Sequence, residues 1–241
     1  MRNLKYLCLV SILFIYCNEA MSQDNKKKWD YPVKPGSTQW AEFTTSQQML
    51  DACQIPQEIL STLSTQDLVE ICMNYPLYLD YTASNDERAA IRFMIEKFNG
   101  LKELSQRADA ARELMAVYAK YPVTPKDKER RTKEDCVMPF KLSFLELILS
   151  TKEFVEKLNS QELVDLQKSV SDKYVAKLGC LDVYSVYNIK KTLLLGAVVL
   201  QKQGVKAVGA EQLEVVDKFI KNYNQVDPNI LTETSKIISE L

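Results

Sequence analysis

Apolar side chains recur every third or fourth residue from Thr44 to the end of the chain, and this spacing constrains the fold more than any other feature. A period near 3.6 residues places such side chains on one face of an α-helix. The clearest stripes are Ile91/Met94/Ile95/Phe98, Ala111/Leu114/Tyr118/Tyr121, Leu163/Leu166/Val170/Tyr174, Leu213/Val216/Ile220/Tyr223 and Leu231/Thr234/Ile238/Leu241. The sequence therefore predicts an all-α fold, an irregular array of about 8–10 helices.

Helix start and stop signals accompany most of these stripes. Ser84 and Glu87 have the spacing of a capping box, Gly100 is a stop signal, and Asp227-Pro228 has the form of an N-cap followed by proline at the first helical position. The segment Leu193–Leu200 differs because it is apolar on every side. We expect this helix to be surrounded by its neighbours and to organise the core.

The charged stretch 124–135, which follows Pro122, is predicted to be a linker between an N-terminal helical half, 44–123, and a C-terminal half, 136–241. Residues 63–71 and 158–166 match at an offset of 95, with four identities. Either a duplicated helical unit or the shared requirements of two helix starts explains this similarity. Capping-box spacing is found in Ser64/Asp67 and Asn159/Glu162, and hydrophobic-staple spacing in Leu63/Leu68 and Leu158/Leu163. The two halves would be similar only under the first explanation.

The first 22 residues have the composition of a secretory signal peptide. A basic start precedes an apolar run from Tyr6 to Tyr16, and the small residues Ala20 and Ser22 fit a cleavage site before Gln23. The apolar run is too short to span a membrane. A lipid anchor at Cys17 is the alternative, but the bulky Tyr16 disfavours it. We therefore expect an exported protein, periplasmic or extracellular, without an integral span after signal removal.

Four cysteines follow the predicted leader: Cys53, Cys72, Cys136 and Cys180. In an oxidising compartment an even number suggests two disulfides, and four cysteines allow three pairings. We favour Cys53 with Cys72 and Cys136 with Cys180, although the sequence leaves the other pairings open. The spacings match no zinc pattern, and no CxxC motif is present.

Four short segments resemble a group of exported, helical, uncharacterised proteins of gut-type Bacteroidetes. They are 29–36 (WDYPVKPG), 52–56 (ACQIP), 68–72 (LVEIC) and 98–100 (FNG), and they cover about the N-terminal third of the chain. The resemblance implies an envelope location and makes a Cys53–Cys72 bridge plausible. It brings no activity and no catalytic residue.

The chain contains no histidine, which excludes Ser-His-Asp and Cys-His hydrolases and His-ligated zinc. No phosphate-binding loop, dinucleotide fingerprint or EF-hand loop is present, so we predict no cofactor and no metal site. A catalytic site would have to rest on carboxylates, lysine, tyrosine or serine, and the strongest case is a pair of carboxylates, as in glycan hydrolysis. Glu146 and Asp182 are the candidates because both interrupt largely apolar stretches, but we assign no catalytic residue.

Aromatic residues are the best candidates for binding. Trp29, Tyr31 and Trp40 lie in segment 23–43, which its prolines and Gly36 predict to be an extended arm. Their rings could stack on sugars or anchor a partner; alternatively, the arm folds back and buries them. Tyr75, Tyr78 and Tyr81 offer the same two uses. Tyr184, Tyr187 and Tyr223 lie at helical spacing and are predicted to be core.

These observations favour an exported, non-catalytic helical protein that acts as an envelope or periplasmic interaction scaffold. The alternative is a protein that binds or hydrolyses glycans through the N-terminal aromatic residues and a pair of carboxylates. The partner would be an envelope protein or a glycan. Nucleic acid is not expected, because removal of residues 1–22 leaves a net charge of −2 without a sustained basic face.

Overall fold

A computed structural model describes residues 29–123 and 132–241 of the chain. Within these ranges the fold is all-helical, with fourteen α-helices, two 3-10 helices and no β-strand. The chain divides into two units, residues 1–30 and 31–241, and only Trp29 and Asp30 of the first are described. The predicted fold class is confirmed. The predicted leader, 1–22, lies outside the described residues.

The first seven helices precede the undescribed residues 124–131. They are α1 (Thr38–Ala41), α2 (Ser46–Ala52), α3 (Gln57–Leu60), α4 (Thr65–Met73), α5 (Glu87–Lys97), α6 (Asn99–Gln106) and α7 (Ala110–Lys120). One of the two 3-10 helices, Tyr78–Ala83, connects α4 to α5.

Seven helices follow residue 131. They are α8 (Lys133–Leu149), α9 (Lys152–Val155), α10 (Ser160–Leu178), α11 (Val186–Gln203), α12 (Val205–Val208), α13 (Ala210–Lys221) and α14 (Pro228–Ser239). The second 3-10 helix, Tyr223–Gln225, connects α13 to α14. Nine of the fourteen α-helices have eight residues or more, which matches the predicted 8–10.

Helix α11 forms the centre of the core, as the apolar run predicted. All residues from Leu193 to Leu200 are buried, and the helix packs against α8, α10, α13 and α14. Gly196 permits this close packing, because a Cβ atom there would lie 2.9 Å from Ile238 Cδ1 and 3.0 Å from Val170 Cγ1. An alanine at position 196 would therefore push α14 and α10 away from α11.

Several predicted helix starts are confirmed. Ser64 caps α4 by accepting the Asp67 N–H at 3.1 Å, and Asn159 caps α10 through a capping box with Glu162. Asp227 caps α14, with Pro228 at the first helical position. The similar segments 63–71 and 158–166 thus each begin a helix with a side-chain cap, as the explanation by shared helix-start requirements predicts.

The predicted cap of α5 is wrong. Asp86, and not Ser84, is the N-cap, and its carboxylate accepts the Ala89 N–H at 3.0 Å. Ser84 instead forms a local turn, because its hydroxyl accepts the Asp86 N–H and donates to the Asp86 carbonyl. Gly100 lies inside α6, one turn beyond the end of α5, so it does not terminate the stripe.

The predicted arm is irregular from Trp29 to Ser37, and one helical turn, α1, follows. Residues 23–28 of the arm lie outside the described residues. The predicted linker is described only from Thr132, which caps α8 through a capping box with Asp135, so its last residues belong to a helix. Both predicted halves lie within the unit of residues 31–241, and α7 packs against α8.

The four segments of the family resemblance converge around Phe98. The Tyr31 ring lies 6.3 Å from the Phe98 ring, and the Tyr31 hydroxyl donates to the Ile71 carbonyl at 3.0 Å. Asn99 donates to the Ile55 carbonyl at 2.7 Å and accepts the Ile55 N–H at 3.0 Å. These segments therefore form one packed cluster, which we call the Phe98 cluster.

Gln167 of α10 is a buried polar residue without a hydrogen-bond partner in the described part of the chain. Its side chain is 5% exposed, and both its amide nitrogen and its amide oxygen are unsatisfied. A buried amide without partners costs about 1–3 kcal/mol. The residue thus marks a weak point between α10 and its neighbours.

We expect Gln167→Met to stabilise the protein, because methionine keeps the volume and removes the unsatisfied atoms. The melting temperature, measured by circular dichroism, should rise by roughly 2–4 °C. Gln212→Met, at an exposed glutamine of α13, is the control and should leave the melting temperature unchanged. An unchanged or lower melting temperature for Gln167→Met would contradict this account.

None of the helices in residues 29–123 and 132–241 combines the length and the apolar character that a membrane span requires.

Candidate functional site

Glu146 lies in a fully buried polar cluster at the centre of the helical unit. Its carboxylate accepts two hydrogen bonds from Lys177 Nζ, at 2.8 and 2.9 Å, and one from the Tyr118 hydroxyl at 3.1 Å. The Thr192 hydroxyl lies 2.7 Å from Lys177 Nζ and 2.9 Å from a Glu146 oxygen. The cluster joins α7, α8, α10 and α11.

Burial governs the ionisation of this cluster. Loss of solvation lowers the pKa of Lys177, and the adjacent Glu146 carboxylate opposes that decrease. Burial and the same carboxylate raise the pKa of Tyr118 well above its usual value, so its hydroxyl stays protonated and donates. The side chains of Glu146 and Lys177 have no accessible surface. The chemistry available to the cluster is therefore internal: it holds four helices together.

The two candidate carboxylates are not brought together. Glu146 is fully buried against Lys177, whereas Asp182 is exposed in the turn between α10 and α11. A pair of catalytic carboxylates must face one substrate in one cleft. Glu146 interrupts an apolar stretch because it pairs with a lysine that lies 31 residues away in sequence.

Two of the N-terminal aromatic residues that were candidates for binding, Tyr31 and Trp40, pack on other aromatic rings. Tyr31 is 4% exposed and belongs to the Phe98 cluster, so the arm folds back at this point. Trp40 is half-buried in α1, where its ring meets the Phe43 ring edge to face at 5.6 Å. Trp29 lies in the unit of residues 1–30. Tyr31 thus has a structural use.

The tyrosines after α4 are also largely structural. Tyr75 stacks on Phe98, with 4.3 Å between the ring centroids, and Tyr81 stacks on Phe144 at 6.2 Å. Both are 1% exposed, and Tyr78 is half-buried beside Phe144. Burial raises the pKa of Tyr75 and of Tyr81, which keeps both hydroxyls protonated.

The four cysteines of the described residues are free thiols, so neither favoured disulfide is present in the structure. Cys53 and Cys72 are both buried, but the sulfur atoms are not joined. Burial raises the pKa of Cys53 to about 12 and raises that of Cys72 as well, which keeps these thiols protonated and unreactive. Cys136 is exposed on the first turn of α8, whereas Cys180 is buried after α10.

An apolar groove of about 700 Å³ lies between α2, α5 and the segment after α4. Met49 and Leu50 of α2 form one wall, Phe93 and Met94 of α5 form the other, and Leu77 lies between them. We call this feature the apolar groove. Its size is typical of a binding site, and its apolar surface is available to a ligand or a partner.

Two residues of the apolar groove stand out by their exposure and charge. Phe93 is 56% exposed, although large aromatic rings usually contribute to the core. The exposed carboxylate of Asp80 forms no ion pair with a described residue, and loss of solvation raises its pKa. Lys97, also in the groove, pairs with Glu96 at 2.7 Å and lies over the Phe93 ring.

The sequence patterns do not single out Phe93 or Asp80. Phe93 falls outside the apolar stripe of α5, and that off-stripe aromatic residue was the available signal. Asp80 gave no signal, because an acidic residue between tyrosines is ordinary at a surface. Within the described ranges, no cluster of three or more cysteine or acidic side chains has the arrangement of a metal site.

Comparison of the chain with known protein families, with curated proteins and with solved structures finds no match.

Proposed function

We propose that this chain is an exported, non-catalytic binding protein whose apolar groove holds an apolar, basic segment of an envelope protein. The composition of residues 1–22 supports export, since it has the three parts of a secretory leader. The burial of Tyr31 in the Phe98 cluster supports a scaffold, since the ring is committed to packing.

The apolar groove carries the proposal. A helix or an extended segment of a partner can fill such a groove with apolar side chains at regular spacing. Phe93, in the wall formed by α5, would be an anchor, because partly exposed aromatic rings contribute much of the energy at interfaces. The groove is concave and open, so binding would need no opening of the core.

The charge of Asp80 defines the partner further. A carboxylate beside an apolar surface is less well solvated than one in open water, and the raised pKa of Asp80 reflects this. A lysine or arginine from the partner would compensate the carboxylate, whereas an acidic residue would repel it. The occupant is therefore an apolar segment with a basic residue.

A charge-reversal experiment tests the proposal. We use a displayed library of amphipathic helical peptides in which all charges are allowed beside the apolar face. Peptides are selected for binding to the wild type and, separately, for binding to Asp80→Lys. We expect basic peptides to be enriched by the wild type and acidic peptides by Asp80→Lys. Glu211→Lys, at an exposed residue of α13, is the control and should select the same peptides as the wild type.

A second pair of variants tests the apolar contact. Phe93→Ser should weaken binding of the enriched peptides by roughly tenfold or more, as expected for loss of an aromatic anchor. Phe140→Ser, at an exposed phenylalanine of α8 outside the groove, should leave their affinity unchanged. The proposal is wrong if the charge of the enriched peptides is the same for wild type and Asp80→Lys, or if both serine variants bind equally well.

A further inference from the structure

Two cavities share Tyr223 and Asn224, in the segment that follows α13, and polar or charged residues make up most of each lining. One has a volume of about 440 Å³ and is bordered by the start of α5 and the end of α13. The other has a volume of about 420 Å³ and is bordered by the start of α11 and by Phe140 of α8. Both cavities include Tyr223 and Asn224 in their walls. We call the two together the polar cleft.

The polar cleft is basic, although the chain as a whole has a net charge of −1. Five cations line it, against two carboxylates; the cations are Arg88, Arg92, Lys190, Lys191 and Lys221. Such a local excess favours a ligand with more than one negative charge. Composition could not reveal it, because the residues come from three separate parts of the sequence.

Both carboxylates of the polar cleft already have partners. Asp86 caps α5, and the Ala89 N–H holds its pKa below the usual range. Glu87 pairs with the buried Lys191 at 2.6 Å and accepts a hydrogen bond from the Tyr223 hydroxyl at 3.3 Å. These contacts fix the wall of the cleft and neutralise Lys191.

The other four cations form no ion pair with any carboxylate in the described part of the chain. Arg88 is held in place by its Nη1 donor, which lies 2.8 Å from the Ile220 carbonyl. Lys190 Nζ lies 4.4 Å from the centre of the Tyr223 ring, and burial lowers its pKa. Burial disfavours the charged ammonium form of Lys190, and an anionic ligand beside it would stabilise that form.

Exposed aromatic rings and side-chain amides also line the polar cleft. Tyr187 is 76% exposed and Phe140 is 41% exposed, and both border the same cavity. The prediction that Tyr187 belongs to the core is wrong. Helix α11 begins at Val186, so the buried Tyr184 lies outside the helix and does not share an apolar stripe with Tyr187. Side-chain amides, including Asn85, Asn224 and Gln225, line the cleft.

We propose that the polar cleft binds an acidic oligosaccharide, with carboxylates at its cations and a sugar ring on Tyr187. The apolar C–H face of a pyranose packs on an aromatic ring, and amides can both donate to and accept from sugar hydroxyls. A phosphate-bearing ligand would need the cations but not the combination of an exposed tyrosine and several amides. This proposal uses a different surface from the apolar groove and does not depend on it.

Isothermal titration calorimetry with tetrasaccharides of galacturonate, mannuronate or glucuronate tests the proposal, each against its neutral counterpart. We expect at least one acidic tetrasaccharide to bind about tenfold more tightly than its neutral counterpart. Its affinity should decrease as the salt concentration rises. Lys190→Gln and Arg92→Gln should each weaken that binding roughly fivefold, and Tyr187→Ala roughly tenfold. Lys206→Gln, at an exposed lysine of α12, is the control and should bind as the wild type does.

Four outcomes would overturn the proposal. The first is that none of the acidic tetrasaccharides binds to the folded wild type. The second is equal binding of acidic and neutral sugars. The third is equal affinity of Lys190→Gln and Lys206→Gln for the acidic sugar. The fourth is tighter binding of inorganic polyphosphate than of any uronate, unaffected by Tyr187→Ala, which would indicate a general anion site.

Discussion

Glu146→Gln should lower the free energy of unfolding by about 3–5 kcal/mol, because it leaves the Lys177 ammonium buried without a counter-charge. Glutamine keeps the shape of the side chain, so the loss is electrostatic and not a matter of packing. Lys177 has no accessible surface, and water cannot replace the lost carboxylate without opening the core. Urea denaturation, followed by helical circular dichroism, measures the change.

A double variant distinguishes the contribution of the Glu146–Lys177 ion pair from the contributions of the two side chains. Lys177→Met alone leaves the Glu146 carboxylate with only the Tyr118 and Thr192 hydroxyls as donors, and it should also be destabilising. Glu146→Gln with Lys177→Met removes both charges, and we expect it to be more stable than either single variant. The positive coupling in this cycle identifies the ion pair as the cause.

An exposed pair is the control. Lys218 and Glu214 lie 2.7 Å apart on α13, with side chains that are 52% and 68% exposed. Glu214→Gln should leave the urea midpoint unchanged, because water solvates the remaining lysine. If Glu146→Gln has no larger effect than Glu214→Gln, the buried cluster does not hold α8 to α10 in the way the distances indicate.

The fold class was accessible from the sequence because it depends on local regularities. The period of apolar residues in α5, α7, α10, α13 and α14 is set by the helix itself, and the caps at Ser64, Asn159 and Asp227 depend on residues at most three apart. The central position of α11 followed from an apolar run without a polar face.

The cap of α5 shows the limit of such local patterns. Ser84 and Asp86 are both good N-cap residues, and the choice between them depends on the turn that the preceding 3-10 helix leads into. A pattern at the correct spacing therefore identified the wrong residue, displaced by two positions.

The buried ion pair and both proposed binding surfaces depend on contacts between distant parts of the chain. Lys177 resembles a surface lysine in sequence, and only the packing of α10 against α8 and α11 reveals its partner. The apolar groove likewise joins Leu50 with Phe93, and the polar cleft joins Arg88 with Lys221. No periodicity encodes these distances.

Phe98→Ala should lower the free energy of unfolding by about 3–5 kcal/mol, because it removes the ring at the centre of the Phe98 cluster. The side chain is fully buried; the Tyr75 ring stacks on it at 4.3 Å, and the Tyr31 ring of the arm lies 6.3 Å from it. The cavity cannot collapse easily, since the backbone of Ile55 is fixed by both hydrogen bonds to Asn99.

Gly100 adds a geometric reason to expect a large effect. A Cβ atom at this position would lie 2.4 Å from Phe98 Cζ and 2.9 Å from Ile55 Cδ1, so the ring lies directly on the glycine. Loss of the ring would leave the glycine face, Tyr75 and Tyr31 around an empty volume. Hydrogen exchange should then be faster at the residues of 31–37 other than Pro32 and Pro35, because Tyr31 holds the arm through this ring and the Ile71 carbonyl.

The matched control is Phe93→Ala on the preceding helix. Phe93 is 56% exposed, and its removal leaves no cavity, so the free energy of unfolding should change by less than about 0.5 kcal/mol. Phe98→Leu should fall between the two alanine variants, because leucine fills part of the space. Equal stability of Phe98→Ala and Phe93→Ala would mean that the four converging segments do not form a single packed cluster. Since the arm would then need another anchor, the exchange rates at residues 31–37 would also be unaffected by Phe98→Ala.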